Sequence, residues 1–291
     1  MNLSELKKSR SLDFSNITKA LTKSTETGFK NDDDDQFKVT RDKAGNGSAV
    51  LRFLAPAGGD ELPWVQIYSH GFQGPTGRWY INNCLSTLGA DDPVNIANRE
   101  LWNGSEKDKE QARKQKRKLS YVSNVYVVSD PGNRANEGKV FKFKFGKKIF
   151  EKIMEKVQPT FVDETPVNVF DLWEGANFKL RMRQYEGYPN YDQSSFADPS
   201  PVAATDEEIL TIVNQQHKLS ELIDPKNFKS YAELEKQFKS VMTAGPSENV
   251  KEFSAPTAEA KMQKSVEPKA VKSTVADEEE SLEDYFKSIA N

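Results

Sequence analysis

The sequence is poor in the residues that most often do chemistry. A single cysteine, Cys84, among 291 residues leaves no partner for an intrachain disulfide and points to a reducing compartment. Two histidines, His70 and His217, restrict imidazole acid–base or metal chemistry to two positions. No nucleophile elbow, Walker loop, HExxH or CxxC occurs. "AGNG" at 44–47 reads as a hairpin turn, because no lysine follows where a phosphate loop needs one. Carboxylates are plentiful, yet no spacing selects an acid–base pair. No apolar run approaches the roughly 18–20 residues of a membrane span, and the first residues lack a signal peptide's apolar stretch. The expectation is a protein that stays where it is made, with no membrane partner, no cofactor and no catalytic residue.

What is present is charge, unevenly placed. The net charge is only -3. Residues 111–150 nevertheless carry eleven Lys/Arg against two Asp/Glu, while "DEEESLED" at 277–284 carries six acids and no base. A basic middle attracts phosphates; an acidic end attracts basic partners or the chain's own middle. Two pentads, "KKSRS" (7–11) and "KRKLS" (116–120), each combine three cations with a final serine, and their recurrence suggests one kind of acidic target for both.

Organisation along the chain follows hydrophobic period. "QFKVTRDKAGNGSAVLRFLAP" predicts a hairpin turning at Asn46-Gly47. "PWVQIYSHGF", "GRWYINNCL" and "LSYVSNVYVVSD" predict strands, and "SEKDKEQARKQKRK" (105–118) an exposed helix or flexible loop. "KVFKFKFGKK" alternates at period two, which sets Phe141, Phe143 and Phe145 on one face and Lys142 and Lys144 on the other. "KKIFEKIMEKV" predicts a helix burying Ile149, Phe150, Ile153 and Val157. "TPVNVFDLWEGANFKLRMRQYEGY" predicts two strands around Glu174-Gly175. Thr205/Glu208 and Ser230/Glu233 have capping-box spacing and start two helices, with His217 expected in a helix. Beyond about 246 the composition predicts disorder. The predicted class is α+β, a β-barrel of OB type with peripheral helices.

Binding signals outweigh catalytic ones. Unpaired nucleic acid needs cations along its phosphates and aromatic faces for its bases, each worth roughly 1–3 kcal/mol. Trp79, Tyr80, Trp102, Tyr121, Phe143, Tyr188 and Tyr191 lie near basic residues, with core packing as the competing role for each. Tyr188 and Tyr191 fall in "EGYPNYDQSS", an expected exposed loop. Arg113, Lys114, Lys116, Arg117 and Lys118, dense and uncompensated, are the expected phosphate contacts. The competing functions are an RNA-binding translational regulator and a nucleic-acid enzyme using an unrecognised carboxylate site.

Longer segments carry a resemblance. "DKAGNGSAVLRFL", "HGF…GRWYINNC", "KRKLSYVSNVYVV", "NEGKVFKFKFGKKI", "ETPVNV…WEGANFKL" and "NYDQSSF" occur in that order. Through them nearly the whole chain resembles the single-stranded DNA-binding, helix-destabilising proteins of T-even-type bacteriophages. The resemblance implies three parts. A basic arm at 1–24, with Lys7, Lys8 and Arg10, would bind neighbouring copies on the strand. A core at 25–245 would hold DNA in an OB fold, with Phe143, Lys142, Lys144 and Lys147 in the cleft. A flexible acidic tail at 246–291, with Asp277, Glu278, Glu279, Glu280, Glu283 and Asp284, would recruit replication and recombination proteins: polymerase, helicase loader, recombinase and its mediator. It further implies binding to the protein's own mRNA, and action at replicating DNA in the cytoplasm of an infected bacterium.

One departure concerns metal. The family's founding members hold a structural zinc with one histidine and three cysteines, the last two as CxxC. Here His70 and Cys84 remain, and "DDPVNIAN" (91–98) stands where CxxC would lie. Two ligands do not make a closed tetrahedral site. The expectation is therefore no zinc, a structural His70, and apolar packing around Trp79, Ile81 and Leu85 in its place.

Overall fold

The computed structural model describes residues 35–243. The expected arm, tail and helix stop at Gly245-Pro246 lie outside the described residues, as do Lys7, Lys8, Arg10 and the acids of 277–284.

Among the described residues, eight strands form one strongly curled antiparallel sheet, and five α-helices surround it. The strands are β1 (Gly47–Phe53), β2 (Trp64–Gln73), β3 (Trp79–Asn83), β4 (Lys118–Ser129), β5 (Val140–Phe145), β6 (Ala176–Tyr185), β7 (Tyr188–Asn190) and β8 (Ser195–Pro199). Their order is β3-β2-β4-β1-β6-β7, with β5 on β4 and β8 on β6. The long strand β4 makes the curl. Its residues 118–123 pair with β2, its residues 125–129 with β1, and its residues 121–126 with β5. A strand that changes partner along its length must bend the sheet, and the register shift between Val50 and Leu51 in β1 adds to the bend. The result is a half-barrel whose inner face holds the main core.

That core is aromatic. Phe53 is fully buried and meets Phe143, Phe145, Phe170, Phe178 and Phe196 at ring-centroid distances of 5.6–6.4 Å. Burying a side chain of this kind contributes roughly 1.5–3 kcal/mol. Helix α3 (Lys147–Val157) packs Ile149, Phe150, Ile153 and Val157 against it, the four residues its period predicted. Helix α4 (Asp206–Val213) covers a second cluster with Leu54, Val140 and Leu172. Val65, Ile67 and Val122, on the sheet's other face, meet Leu219 and Leu222.

β2 outruns this core. Its first half packs Trp64 inside the half-barrel; its second half, with β3, enters a separate small cluster of Phe72, Tyr80, Leu85, Val94, Leu234 and Val241. Helices α1 (Pro93–Trp102), α2 (Glu106–Gln115) and α5 (Tyr231–Met242) surround this extension. The β2–β3 turn caps the end of α5: Thr76 Oγ1 donates to the Val241 carbonyl at 2.8 Å and Arg78 Nη1 to the Ser240 carbonyl at 3.3 Å. Gly74 sits so close to Val241 that a Cβ there would strike its carbonyl oxygen.

Several expectations need correction. The stretch before Asn46 forms no hairpin arm. It makes one parallel bridge, Gln36 to Lys142, and turns where Asp42 Oδ1 accepts from the amides of Ala44 and Asn46. The segment 165–175 forms no strand; it turns at Asp171, whose carboxylate accepts from Trp173 and Glu174 amides, and only β6 follows. His217 follows α4 in a connection, held through its backbone by Asn124. "DDPVNIAN" begins a helix, capped by Asp92 with Pro93 at the first position. Trp79 and Ile81 are 59% and 69% exposed, so the expected packing around them is not formed; alternation along β3 buries Tyr80 instead, and the extension packs around Tyr80 and Leu85.

Candidate nucleic-acid interface

Helix α2 concentrates charge at one end. Ser105 caps its start and Asp108 returns the bond in a capping box, so its acids Glu106 and Asp108 lie in the first turn and Arg113 and Lys114 in the last. This order suits the helix dipole and leaves a cationic terminus. The chain then runs through exposed Lys116, Arg117 and Lys118 straight into β4. Two of these cations lie on aromatic rings. Arg113 Cζ is 5.4 Å from the Trp102 ring centroid, and Arg117 Cζ is 4.4 Å from that of Tyr68. Such pairing holds a guanidinium flat against a ring without neutralising it. Lys114 is paired with Glu110 at 2.7 Å.

Tyr68 links this cluster to the half-barrel. It stands opposite Leu119 on β4, two residues from Gln66, the partner of Tyr121, and it bears on the Tyr121 hydroxyl. Burial, with Tyr68 and Glu151 adding to it, pushes that hydroxyl up to about 12. Glu151 pairs with Lys147 at the start of α3, and Lys148 beside it reaches Asp192 at 3.2 Å. Asp192 belongs to the loop after the β6–β7 hairpin, where Tyr185 and Tyr188 are 62% and 76% exposed. Lys179, Arg181 and Arg183 alternate along the exposed face of β6 leading to that hairpin. A band of cations interleaved with rings thus runs from Trp102 and Arg113, past Arg117 and Tyr68, across the start of α3, to Tyr188.

The sequence-predicted residues divide into two groups. Trp79, Trp102, Arg113, Lys114, Lys116, Arg117, Lys118, Lys144, Lys147 and Tyr188 are exposed. Tyr80, Tyr121 and Phe143, at 0%, 5% and 6% exposure, are core residues, and none presents a ring face to solvent. Tyr121 stacks on Phe150 at 3.8 Å, Phe143 on Phe145 at 5.4 Å and Tyr80 on Phe72 at 5.2 Å. Lys142 is turned toward Asp35 at 3.7 Å, with its side chain only 12% exposed. Tyr191 is partly buried, its hydroxyl 3.5 Å from Met182 sulfur. Tyr68 and the β6 cations were missed. The "KLRMR" alternation of β6 is the same signal that singled out β5; Tyr68 had no local signal, because Arg117 meets it only through strand pairing.

A buried cluster lies behind this surface. His70, Cys84 and Asp92 bring one donor atom each to within 4.8 Å of one another. His70 Nδ1 lies 2.9 Å from the Gln115 carbonyl at the end of α2, which aims Nε2 at Asp92 Oδ1, 3.3 Å away. Burial pulls the His70 pKa down, but Asp92 and Cys84 outweigh it and hold it at about 9. Burial likewise works against ionised Asp92, yet His70 and the Leu85 and Val94 amides keep its pKa below the usual carboxylate value. The ring orientation suits a metal-bound histidine. The donor set does not suit the closed tetrahedral zinc of the resembled family, which takes four sulfur or nitrogen ligands.

Comparison with known proteins adds the following. The family described as gp32 DNA binding protein like matches residues 45–242. The single-stranded DNA-binding protein of Enterobacteria phage T2 is 41% identical over 222 residues, covering 74% of this chain and 72% of that protein. The protein of the same name from Enterobacteria phage T4 gives the same identity and coverage. A single-stranded DNA-binding protein of Escherichia phage SV14 is 40% identical over 85 residues, 28% of this chain and 74% of its own.

Proposed function

This chain belongs to the gp32-like family of DNA-binding proteins, and from that premise we propose that it binds single-stranded DNA without catalysing a reaction on it. One observation carries the reading: a surface on which exposed Arg113, Lys116, Arg117 and Lys118 lie with exposed Trp102, with half-buried Tyr68 under Arg117 and, beyond α3, with exposed Tyr188. Cations track a phosphate backbone, and rings take unpaired bases of any identity. A duplex keeps its bases stacked and offers the rings nothing. The curled sheet is read as an OB-type barrel, with the β2–β3 extension and its helices forming one wall of the groove. The strand runs along this band, and the protein coats exposed DNA during phage replication, recombination and repair.

The chain ends take the roles that the sequence suggests. The arm with Lys7, Lys8 and Arg10 contacts the next copy on the strand, and the acids of 277–284 dock replication proteins. Deleting residues 1–20 tests the first role. Binding to a short oligomer then survives while clustering on long strands is lost; collapse of short-oligomer binding would place the arm in the cleft.

The deciding experiment for the whole reading is quenching of intrinsic fluorescence by poly-dT against duplex DNA of equal length. Strong quenching by the single strand alone is expected, with little dependence on base. Equal affinity for duplex, or cleavage of either substrate with Mg²⁺, would refute the reading. An RNA oligomer of the same sequence, run in competition, ranks DNA against message as the preferred strand.

A further inference from the structure

His70, Cys84 and Asp92 are all buried, in a chain with two histidines and one cysteine. Three such side chains meeting by chance would be costly, since buried polar groups must find partners. Either an ion or their protein neighbours hold them.

The partners already in place point to the neighbours. Asp92 Oδ1 accepts from the Val94 amide at 2.9 Å and the Asn95 amide at 3.4 Å, capping α1. Its Oδ2 accepts from the Leu85 amide at 3.1 Å. His70 faces the same carboxylate at 3.3 Å. Both oxygens are therefore committed. Asn95 stands three residues beyond Asp92, the spacing with which a CxxC pair presents two sulfurs. Its Nδ2 donates to Ser86 Oγ at 2.6 Å and to Cys84 Sγ at 3.3 Å. An amide nitrogen offers a metal no lone pair, and here it faces the one sulfur present.

We infer that this extension is pinned without metal: Asp92 and Asn95, in a DxxN arrangement, take the ground of a CxxC pair, and the His70–Asp92 contact at 3.3 Å with the Asn95–Cys84 contact makes the join that a tetrahedral zinc makes elsewhere in the family. The pin gathers β2 through His70, the turn after β3 through Cys84 and Leu85, the start of α1 through Asp92, and the end of α2 through the Gln115 carbonyl. It therefore sets where the cation run begins, one residue after Gln115. The inference rests on the fold and stands apart from the DNA-binding reading.

Metal content and thermal melting of the purified full chain test it. Zinc well below one per chain is expected, with a melting temperature unmoved by chelator or by added zinc. About one zinc per chain surviving dialysis, or a chelator-dependent fall in melting temperature, would overturn the inference. His70→Gln is expected to lower the melting temperature by several degrees equally with and without chelator; an unchanged melting temperature counts against the pin. The double substitution D92C/N95C supplies two further sulfurs beside His70 and Cys84. It is expected to take up about one zinc per chain and to become chelator-sensitive, and a folded double variant that binds none refutes the DxxN-for-CxxC geometry. The measurements on the unsubstituted chain decide the matter even where that variant fails to fold.

Discussion

Arg52 is the most deeply buried cation among the described residues, at 0% exposure. Its Nη2 donates to the carbonyls of Asp171 and Ser200 at 2.8 and 2.7 Å, and Nη1 reaches Asn177 Oδ1 at 3.4 Å. Burial lowers its pKa to about 10, against the pull of Asp171. It thus nails the turn before β6 and the end of β8 to β1. Gly175 leaves room for it, because a Cβ there would crowd the Asp171 carbonyl and Arg52 Nη2. Arg52→Met is expected to cost about 3 kcal/mol in urea unfolding, since two buried carbonyls lose their donor. Nothing in "VLRFLAP" announced this role, because both partners lie more than a hundred residues away. Surface residues give a different signature. Tyr188→Ala should weaken single-strand binding by about 1–3 kcal/mol with the salt slope unchanged. Arg117→Ala should reduce the log–log salt slope by about 0.7 and uncover the Tyr68 ring. Titration with oligo-dT at several salt concentrations separates the two.

At the scale of elements, period and caps were legible and pairing was not. β5 shows the limit. Its alternation placed three phenylalanines on one face, but only the curl of β4 decides that this face is the inside of the half-barrel, where Phe143 meets Phe37, Phe53 and Phe145. On the lysine face Lys144 is exposed, while Lys142 turns toward Asp35. α1 was hidden for another reason. "DDPVNIAN" stands where sulfurs are missing, yet its Asp followed by Pro is itself a helix start. The capping boxes at Thr205 and Ser230 formed as spaced, and a third appeared at Ser105. Ser105→Ala is expected to cost about 1 kcal/mol of stability and to loosen α2. Faster amide exchange confined to Glu106–Lys109 would verify it; unchanged exchange would show that packing of Ala112 and Gln115 alone holds the helix.

For the whole molecule the governing quantity is how charge is divided. A basic band and an acidic chain end nearly cancel, so the net charge of -3 conceals the field that a strand would meet. If the acids of 277–284 compete with DNA for the band, truncation after Thr274 should strengthen binding to single strands at low salt. The gain should shrink as salt rises, because exposed charges are screened over ~10 Å at 0.1 M. Association rates measured across a salt series give the answer, and identical rates for both forms at low salt would reduce the acids to a solubility role.

β2 belongs to more than one core: Trp64 lies in the half-barrel's, Ile67 in the cluster on the sheet's other face, and His70 and Phe72 in the extension's. One hydrogen-bonded ribbon thus crosses what would otherwise be a seam between two bodies. The extension and the half-barrel are therefore tied by one continuous strand, and loosening β2 in either is expected to weaken its pairing in the other.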